Sequence, residues 1–314
     1  MKRFFFAFIS LSIITAVASC DKVEHPYPTT TTSSTLDWSL YPGGDSATYA
    51  QNGFWPAFTA NPNTQRNVLI EDFTGHRCSN CPAQTANMEQ LIATDPTRIF
   101  GVALHTGPTG VGTFQELDAT HGYTNVFYNN IAIEIGNYFG GLPGSSFFGN
   151  PAFMVNRTLN NGQYTSNAGA PISNKTSLCL ASALKVNIQA VANYFPSTRG
   201  LFLHVEIDKI DAGITSDLNL VTYLVEDSLV ATQLMGDQTD NAAYTHREIL
   251  RGCLDNQAFG RTLTSSDIVN DNYYVNYSYH LPDQFDAANM HVVIYVMDKV
   301  TKEIYQVIKH EIEE

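Results

Sequence analysis

The apolar positions of this chain follow two rhythms, and the change between them falls near residue 184. Before it, short continuous apolar runs alternate with helical spacing. Val68-Leu69-Ile70, inside a run from Asn67 to Phe73, reads as a strand buried on both faces. The run from Ala83 to Ile92 puts Met88, Leu91 and Ile92 at i, i+3 and i+4, the spacing of one helical face. Ile99-Phe100-Gly101-Val102-Ala103-Leu104 is a second buried strand. Strand, helix and strand in this order predict a parallel pair with a right-handed crossover. The stretch 173–183 predicts a helix that closes this unit. Beyond it the pattern turns to period two, with strands expected at 185–191, 201–207, 218–226, 247–254, 273–280, 290–297 and 303–308. Pro196, Gly200, Gly213, Gly236 and Pro282 lie in the connections. Strands of this length and spacing predict a β-sandwich.

Two stretches fit neither rhythm. Residues 106–148 are punctuated by Gly107, Gly110, Gly112, Gly140, Gly141 and Gly144, and read as an insertion with a helix somewhere in 123–138. After them comes an apolar strand that starts at Pro151. Residues 36–66 hold Trp38, Tyr41, Phe54, Trp55 and Phe58 among Gly, Pro and Asn. They read as an irregular segment packed on the domain that follows. The expected organisation is a tether and irregular segment at 20–62, an α/β domain at 63–183 with its insertion at about 106–148, and an all-β sandwich at 184–314. A length of 314 residues with 44% hydrophobic positions suits two domains, each with its own core.

The N-terminus is a targeting segment. Lys2 and Arg3 precede an apolar run from Phe4 to Val17, too short for a comfortable membrane span. It ends in Val17-Ala18-Ser19-Cys20, which resembles the bacterial lipobox. That implies a signal peptide of residues 1–19 and lipid on the Cys20 thiol. Pro26, Pro28 and the threonines 29–32 cannot build a core and form a spacer between lipid and folded body. The protein is therefore expected to be anchored to a membrane without crossing it. The formal net charge is −13, from 30 acidic and 17 basic residues, with no long Lys/Arg cluster. This argues against nucleic acid as a partner and against a purely electrostatic grip on anionic lipid.

The candidate chemistry lies between the first strand and the first helix, in Thr74-Gly75-His76-Arg77-Cys78-Ser79-Asn80-Cys81-Pro82. Two cysteines three positions apart at a helix start have the arrangement of a redox motif. A free thiol is only about 3% thiolate at pH 7, and a pKa lowered to roughly 7 makes about half of it reactive. The unpaired N–H groups and dipole of a helix N-terminus push that way, and so does Arg77. Cys78 is expected to be the exposed attacking thiol and Cys81 the resolving one. Two other readings compete. A purely structural disulfide would close a four-residue loop, worth only about 2 kcal/mol, against roughly 4.5 kcal/mol for the loop of about 75 residues between Cys179 and Cys253. A metal site would need His76, His105 or His121 to complete the ligands, and a proline directly after Cys81 suits a helix start better. Cys179 and Cys253 sit in apolar surroundings and are expected to be buried free thiols. His76 is expected to bond backbone in its loop.

The stretch from Val68 to Pro82 resembles the opening of thioredoxin-like domains. More narrowly, it resembles the Omp-twenty-eight-related outer-membrane lipoprotein family of Bacteroidetes, in which Phe-Thr-Gly-His runs into Cys-x-x-Cys-Pro. Asn150-Pro151 followed by Asn156-Arg157, and the segments Glu226-Asp227 and His246-Arg247, are similar too. The resemblance implies a thioredoxin-like α/β domain followed by an immunoglobulin-like sandwich. It matches Cys78 and Cys81 to the active disulfide pair, and Asp72 to the buried acid that takes the proton of the second cysteine, with Glu71 the neighbouring candidate. It matches Asn150 and Pro151 to the substrate-binding turn, where Pro151 would be cis. Three departures stand: Arg77 replaces the usual tryptophan, Ser79-Asn80 replaces Gly-Pro, and about thirty residues are inserted before Pro151. The implied function is that of an outer-envelope thiol–disulfide oxidoreductase acting on protein thiols or disulfides, without cofactor or metal. The competing expectation is a surface binding or adhesion lipoprotein on the same scaffold, because fold does not fix function.

Overall fold

A computed structural model describes residues 36–159, 161–167 and 172–313. The signal segment, the tether and Cys20 lie outside them. A short helix, α1 (Ser46–Gln51), is capped by Asp45. The α/β part then runs β1 (Val68–Phe73), α2 (Cys81–Thr94), β2 (Ile99–Leu104), α3 (Asn130–Gly140), β3 (Ala152–Val155), β4 (Ser166–Asn167) and α4 (Ile172–Leu180). The remaining strands are β5 (Val186–Phe195), β6 (Gly200–Lys209), β7 (Leu218–Glu226), β8 (Leu229–Leu234), β9 (Asp240–His246), β10 (Ile249–Cys253), β11 (Arg261–Thr262), β12 (Ile268–Val269), β13 (Asn272–His280), β14 (Met290–Asp298) and β15 (Ile304–Glu311).

β1 and β2 are parallel, paired from Val68↔Ile99 to Phe73↔Leu104, as the strand–helix–strand pattern predicts. β3 is antiparallel to β1, with Asp72 opposite Phe153. The sheet does not stop there. Its order is β15-β14-β7-β10-β2-β1-β3-β4, with β11 added to β7. β10 joins β2 at Ile249↔Ala103, where Ala103 N donates to Glu248 O at 2.6 Å. Strands from both sides of residue 184 therefore share one sheet. The change of rhythm marks a change of connection, from crossover to hairpin.

Period two along β7 and β14 explains how this sheet is buried twice. Val221, Tyr223 and Val225, with Val293, Tyr295 and Met297, face a core closed by Ile131, Ile135 and Phe139 of α3. Leu220, Leu224, Val292, Ile294 and Val296 face the opposite way. There they meet Leu201, Leu203, Val205 and Ile207 of a second sheet, ordered β12-β13-β6-β5. Over β1 and β3 that same side is covered instead by Met88 of α2 and by Ile172 and Cys179 of α4. The result is a mixed α/β protein with several sheets.

Two expectations change. The aromatic segment after residue 36 does not pack on the unit that follows it in sequence. Trp38, Tyr41, Tyr49, Phe54 and Trp55 cluster with Phe195 and Phe202 on the outer face of the four-stranded sheet, because β1 is already covered on both faces by its own helices. The helix expected within 123–138 is present: it starts at Asn130, where Asn129 Oδ1 accepts from Ala132 N at 3.0 Å, and runs to Gly140. A two-stranded ribbon of β8 and β9 stands where no strand was expected. Neither Leu229–Leu234 nor Asp240–His246 alternates apolar with polar residues, so period two does not show there.

Candidate functional site

β1 carries two adjacent carboxylates, and the strand sends them to opposite faces. Glu71 goes to the fully buried Arg157: Arg157 Nε donates to Oε2 at 2.8 Å and Nη2 to Oε1 at 2.7 Å. Nη2 also donates to the hydroxyls of Tyr223 and Tyr295, at 2.8 and 3.0 Å. Glu71 is thereby committed to the core. Asp72 points to the helix side. It is 0% exposed, and its Oδ2 accepts from Thr85 Oγ1 at 2.7 Å. Thr85 lies one turn past Cys81 on α2. Oδ1 of Asp72 has no hydrogen-bond partner. Burial raises this carboxyl to about 7, opposed by the Thr85 bond and assisted by Glu89.

After β1 the chain turns into the cysteines. Gly75 is required there: a Cβ would come within 2.5 Å of Phe114 O. The loop at 112–116 thus lies directly on the turn, and Arg77 N donates to Phe114 O at 3.0 Å. Cys78 and Cys81 are joined by a disulfide. Cys81 opens α2, Pro82 supplies the first-turn proline, and Asn80 makes no side-chain cap. The first-turn N–H groups are therefore not capped by the Asn80 side chain. Arg77 lies 3.6 Å from Asp118 and over the Tyr123 ring.

The expectation of an exposed Cys78 is not met. Cys78 is 2% exposed and Cys81 1%. The loop at 112–116 covers one side and the β8–β9 hairpin the other. Gln233 Nε2 donates to Cys78 O at 3.2 Å, and Leu234 N donates to His76 O at 2.8 Å. A groove of about 550 Å³ runs between α2 and this hairpin, with Ser79, Asn80 and Pro82 on one wall and Met235, Gly236 and Tyr244 on the other. Its lining stops short of the sulfurs.

The Asn150–Pro151 bond is cis. The side chain of Asn150 is engaged inside the fold. Nδ2 donates to Thr106 O at 2.8 Å, and Oδ1 accepts from Gln115 Nε2 at 3.2 Å. Gln115 Nε2 also donates to Thr74 O at 2.7 Å. Asn150 therefore ties the ends of β1 and β2 to the insertion.

His76 bonds backbone, as expected, with Nε2 2.9 Å from Glu116 O. It belongs to a group that the sequence did not reveal. The Phe127 ring stacks on His105 at 4.7 Å and packs against His246 at 4.5 Å and His76 at 5.5 Å. All three histidines are buried and held below their ordinary range by that burial, His246 down to about 4. Regularly spaced histidines would have been a signal, but positions 76, 105 and 246 share no spacing. His121 lies apart, on Asp118 at 2.8 Å. Among the described residues no group of three His, Cys, Asp or Glu side chains is placed to hold a metal ion. Cys179 and Cys253 are buried free thiols, as their apolar neighbours implied.

Fold and site define an α/β protein with a helix-start disulfide under a β-hairpin, next to a cis-proline strand. The chain belongs to the outer membrane protein Omp28 family, whose model matches residues 146–314. This places the protein at the outer membrane. Among solved structures it is similar to HBP35 of Porphyromonas gingivalis, at 18% identity and a TM-score of 0.59, over 81% of this chain and 77% of that one. It also matches a domain of the outer membrane lipoprotein Omp28 from Porphyromonas gingivalis, at 24% identity and a TM-score of 0.29, over 41% of this chain and 88% of that one. No curated protein matches the chain. Among the described residues no helix is long and apolar enough to cross a membrane.

Proposed function

We propose that this protein is a lipid-anchored thiol–disulfide exchange protein of the outer membrane. In this reading the β1–α2–β2 unit with β3 is a thioredoxin-like unit, and the strands after residue 184 form a sandwich that also supplies the cover of the site. The observation that carries the proposal is Asp72. A buried carboxyl with an unbonded oxygen costs stability, and its single bond, from Thr85 to Oδ2, leaves Oδ1 without a partner. Beside the helix that holds the disulfide it has a use. In the reduced protein the Cys78 thiolate attacks one sulfur of a substrate disulfide and expels a substrate thiolate. Cys81 then gives its proton to Asp72 and attacks Cys78 Sγ. The Cys78–Cys81 disulfide re-forms and the second substrate thiolate leaves. Pro151 is assigned to the substrate chain, and Asn150 to holding the turn.

The test is a trap. Cys81→Ser should stall the reaction at the mixed disulfide, so partners run as adducts that reductant releases on a gel. Cys78→Ser should trap far less. Adducts from neither variant, together with no disulfide reduction above the double Cys78/Cys81→Ser variant, would rule the proposal out.

The burial of Cys78 supports a second reading, a binding lipoprotein in which the disulfide only braces the turn. It predicts no adducts and a loss of about 2 kcal/mol when either cysteine is replaced. In both readings Cys20 carries the lipid. Cys20→Ser should leave a folded protein that no longer sediments with membranes. Its retention after a salt wash would refute the anchor.

A further inference from the structure

The β8–β9 hairpin is attached to the site by few contacts. Apart from the Gln233 and Leu234 hydrogen bonds, Tyr123 OH donates to the Asp240 carboxylate. The apolar anchor is small: Ala231 and Leu229 against Phe127 and Ile249. Most of β9 before Tyr244 faces solvent. A unit held this way opens at a lower free energy than the core strands. The anchor is ringed by imidazoles. His246, on the hairpin itself, and His105, at the end of β2, flank Phe127, and His76 lies behind. Nε2 of His246 and Nδ1 of His105 have no hydrogen-bond partner.

We propose that the β8–β9 hairpin is an acid-released latch over the Cys78–Cys81 disulfide. Protonation of the histidine group breaks its anchor and uncovers the sulfurs. The inference deepens the exchange reading by naming how its site is regulated. It does not need that reading to be true, because the latch covers the disulfide in either case.

The charged side chains that act on the three rings oppose protonation in place, and the nearby carboxylates act on the neighbouring phenols, Glu89 and Asp72 on Tyr244 and Asp240 and Asp118 on Tyr123. Arg77 acts on His76 from the turn, and Arg251 acts on His105 and His246 from β10. The histidines repel one another when charged. Tyr123 beside His76 and Tyr244 beside His246 are neutral phenols raised by burial. The backbone carbonyls of Ala231 and Thr232 favour charged His246, and that of Glu116 favours charged His76, but burial outweighs both. A proton is therefore taken up most readily by the open hairpin, where water reaches the rings. The closed form keeps its full advantage above pH 6.5 and loses it as pH falls toward the depressed closed-state value. With His246 at 6.5 when open and about 4 when closed, the open population grows about 20-fold between pH 7 and pH 5 from this residue alone.

The test measures how fast a phosphine reduces the Cys78–Cys81 disulfide in the whole protein. Each rate is divided by that of an oxidised synthetic peptide of residues 74–86 at the same pH, which removes the reductant's own pH dependence. The normalised rate should rise at least about 20-fold from pH 7 to pH 5. His246→Phe keeps a ring against Phe127 without a titrating nitrogen and should flatten the rise. His246→Gln is the second variant if the first folds poorly. Gln233→Ala removes the bond to Cys78 O and should speed reduction at pH 7 about tenfold. A flat normalised rate in the unmodified protein, or a rise as steep in both His246 variants, overturns the latch. Substrate turnover is read separately. Insulin reduction with a flat phosphine profile rejects the latch and keeps the exchange activity. The pH rise without turnover keeps the latch and rejects the activity.

Discussion

Asp72→Asn should make the protein more stable and, if it exchanges disulfides, slower. The folded carboxyl has a pKa of about 7 against an ordinary value of 3.8. The folded state therefore holds its proton to higher pH than the unfolded chain does. Below the ordinary value both states are protonated and nothing is lost. As pH rises from about 4 to about 7 the unfolded chain ionises and the folded one resists, so stability falls through that window. Above pH 7 the loss is complete at about 4 kcal/mol. An amide accepts the same Thr85 bond without the charge. Urea unfolding should thus show the variant more stable by up to about 4 kcal/mol at pH 8 and by much less at pH 4. The same change removes the proton acceptor for Cys81, so disulfide reduction should slow by about 10²-fold. A gain in stability that does not depend on pH would mean the carboxyl is not ionising in place. Full activity in the stabilised variant would remove Asp72 from the mechanism.

Arg157→Ala should be the most damaging single substitution. Arg157 and Glu71 are 0% and 1% exposed at their side chains, and the arginine also serves Tyr223 and Tyr295. Its guanidinium lies over the rings of Phe139, Phe259 and Tyr295, within 5.4 to 5.6 Å of their centroids. Removing it leaves the Glu71 carboxylate in the core where α3, β1, β7 and β14 meet without a counter-charge and with only a long bond from the Tyr223 hydroxyl, at 3.4 Å. The expected cost is about 3–5 kcal/mol, because an unpaired buried charge loses its compensation without regaining water. Pairing Arg157→Met with Glu71→Leu should recover most of it. Denaturant midpoints for the single and double variants measure this directly. A single-variant loss below about 1 kcal/mol would mean that water reaches Glu71.

The two carboxylates show what can be read from sequence. That Glu71-Asp72 ends a buried strand was legible, and so was a role for one of them. Which one lies on the side of α2 was a question of faces. β1 sends Glu71 toward Arg157, a partner 86 positions away, and Asp72 toward Thr85 of α2. Asn150 was legible as part of the turn before β3, but its bonds to Thr106 and Gln115 depend on how the insertion folds back.

Local chemistry wrote most of the elements into the chain. Apolar runs at 68–70 and 99–104 specify buried strands, Cys81-Pro82 specifies a helix start, and period two after residue 184 specifies strands that face two cores. These signals act within a few residues, so sequence carries them. The cover of the disulfide was not among them. β8 buries Ala231, Thr232 and Gln233 and β9 mostly faces solvent, but neither sequence alternates apolar with polar residues, so no period two can be read from them. Their position over Cys78 depends on contacts such as Gln233 to Cys78, 155 positions apart. Those form only because β10 joins β2 in one sheet and brings the hairpin before it to the end of β1. Tertiary structure alone therefore decided that both cysteines are sealed and that three unevenly spaced histidines share one aromatic ring. Pairing at such separation follows from sheet order and burial, and no local run of residues encodes it.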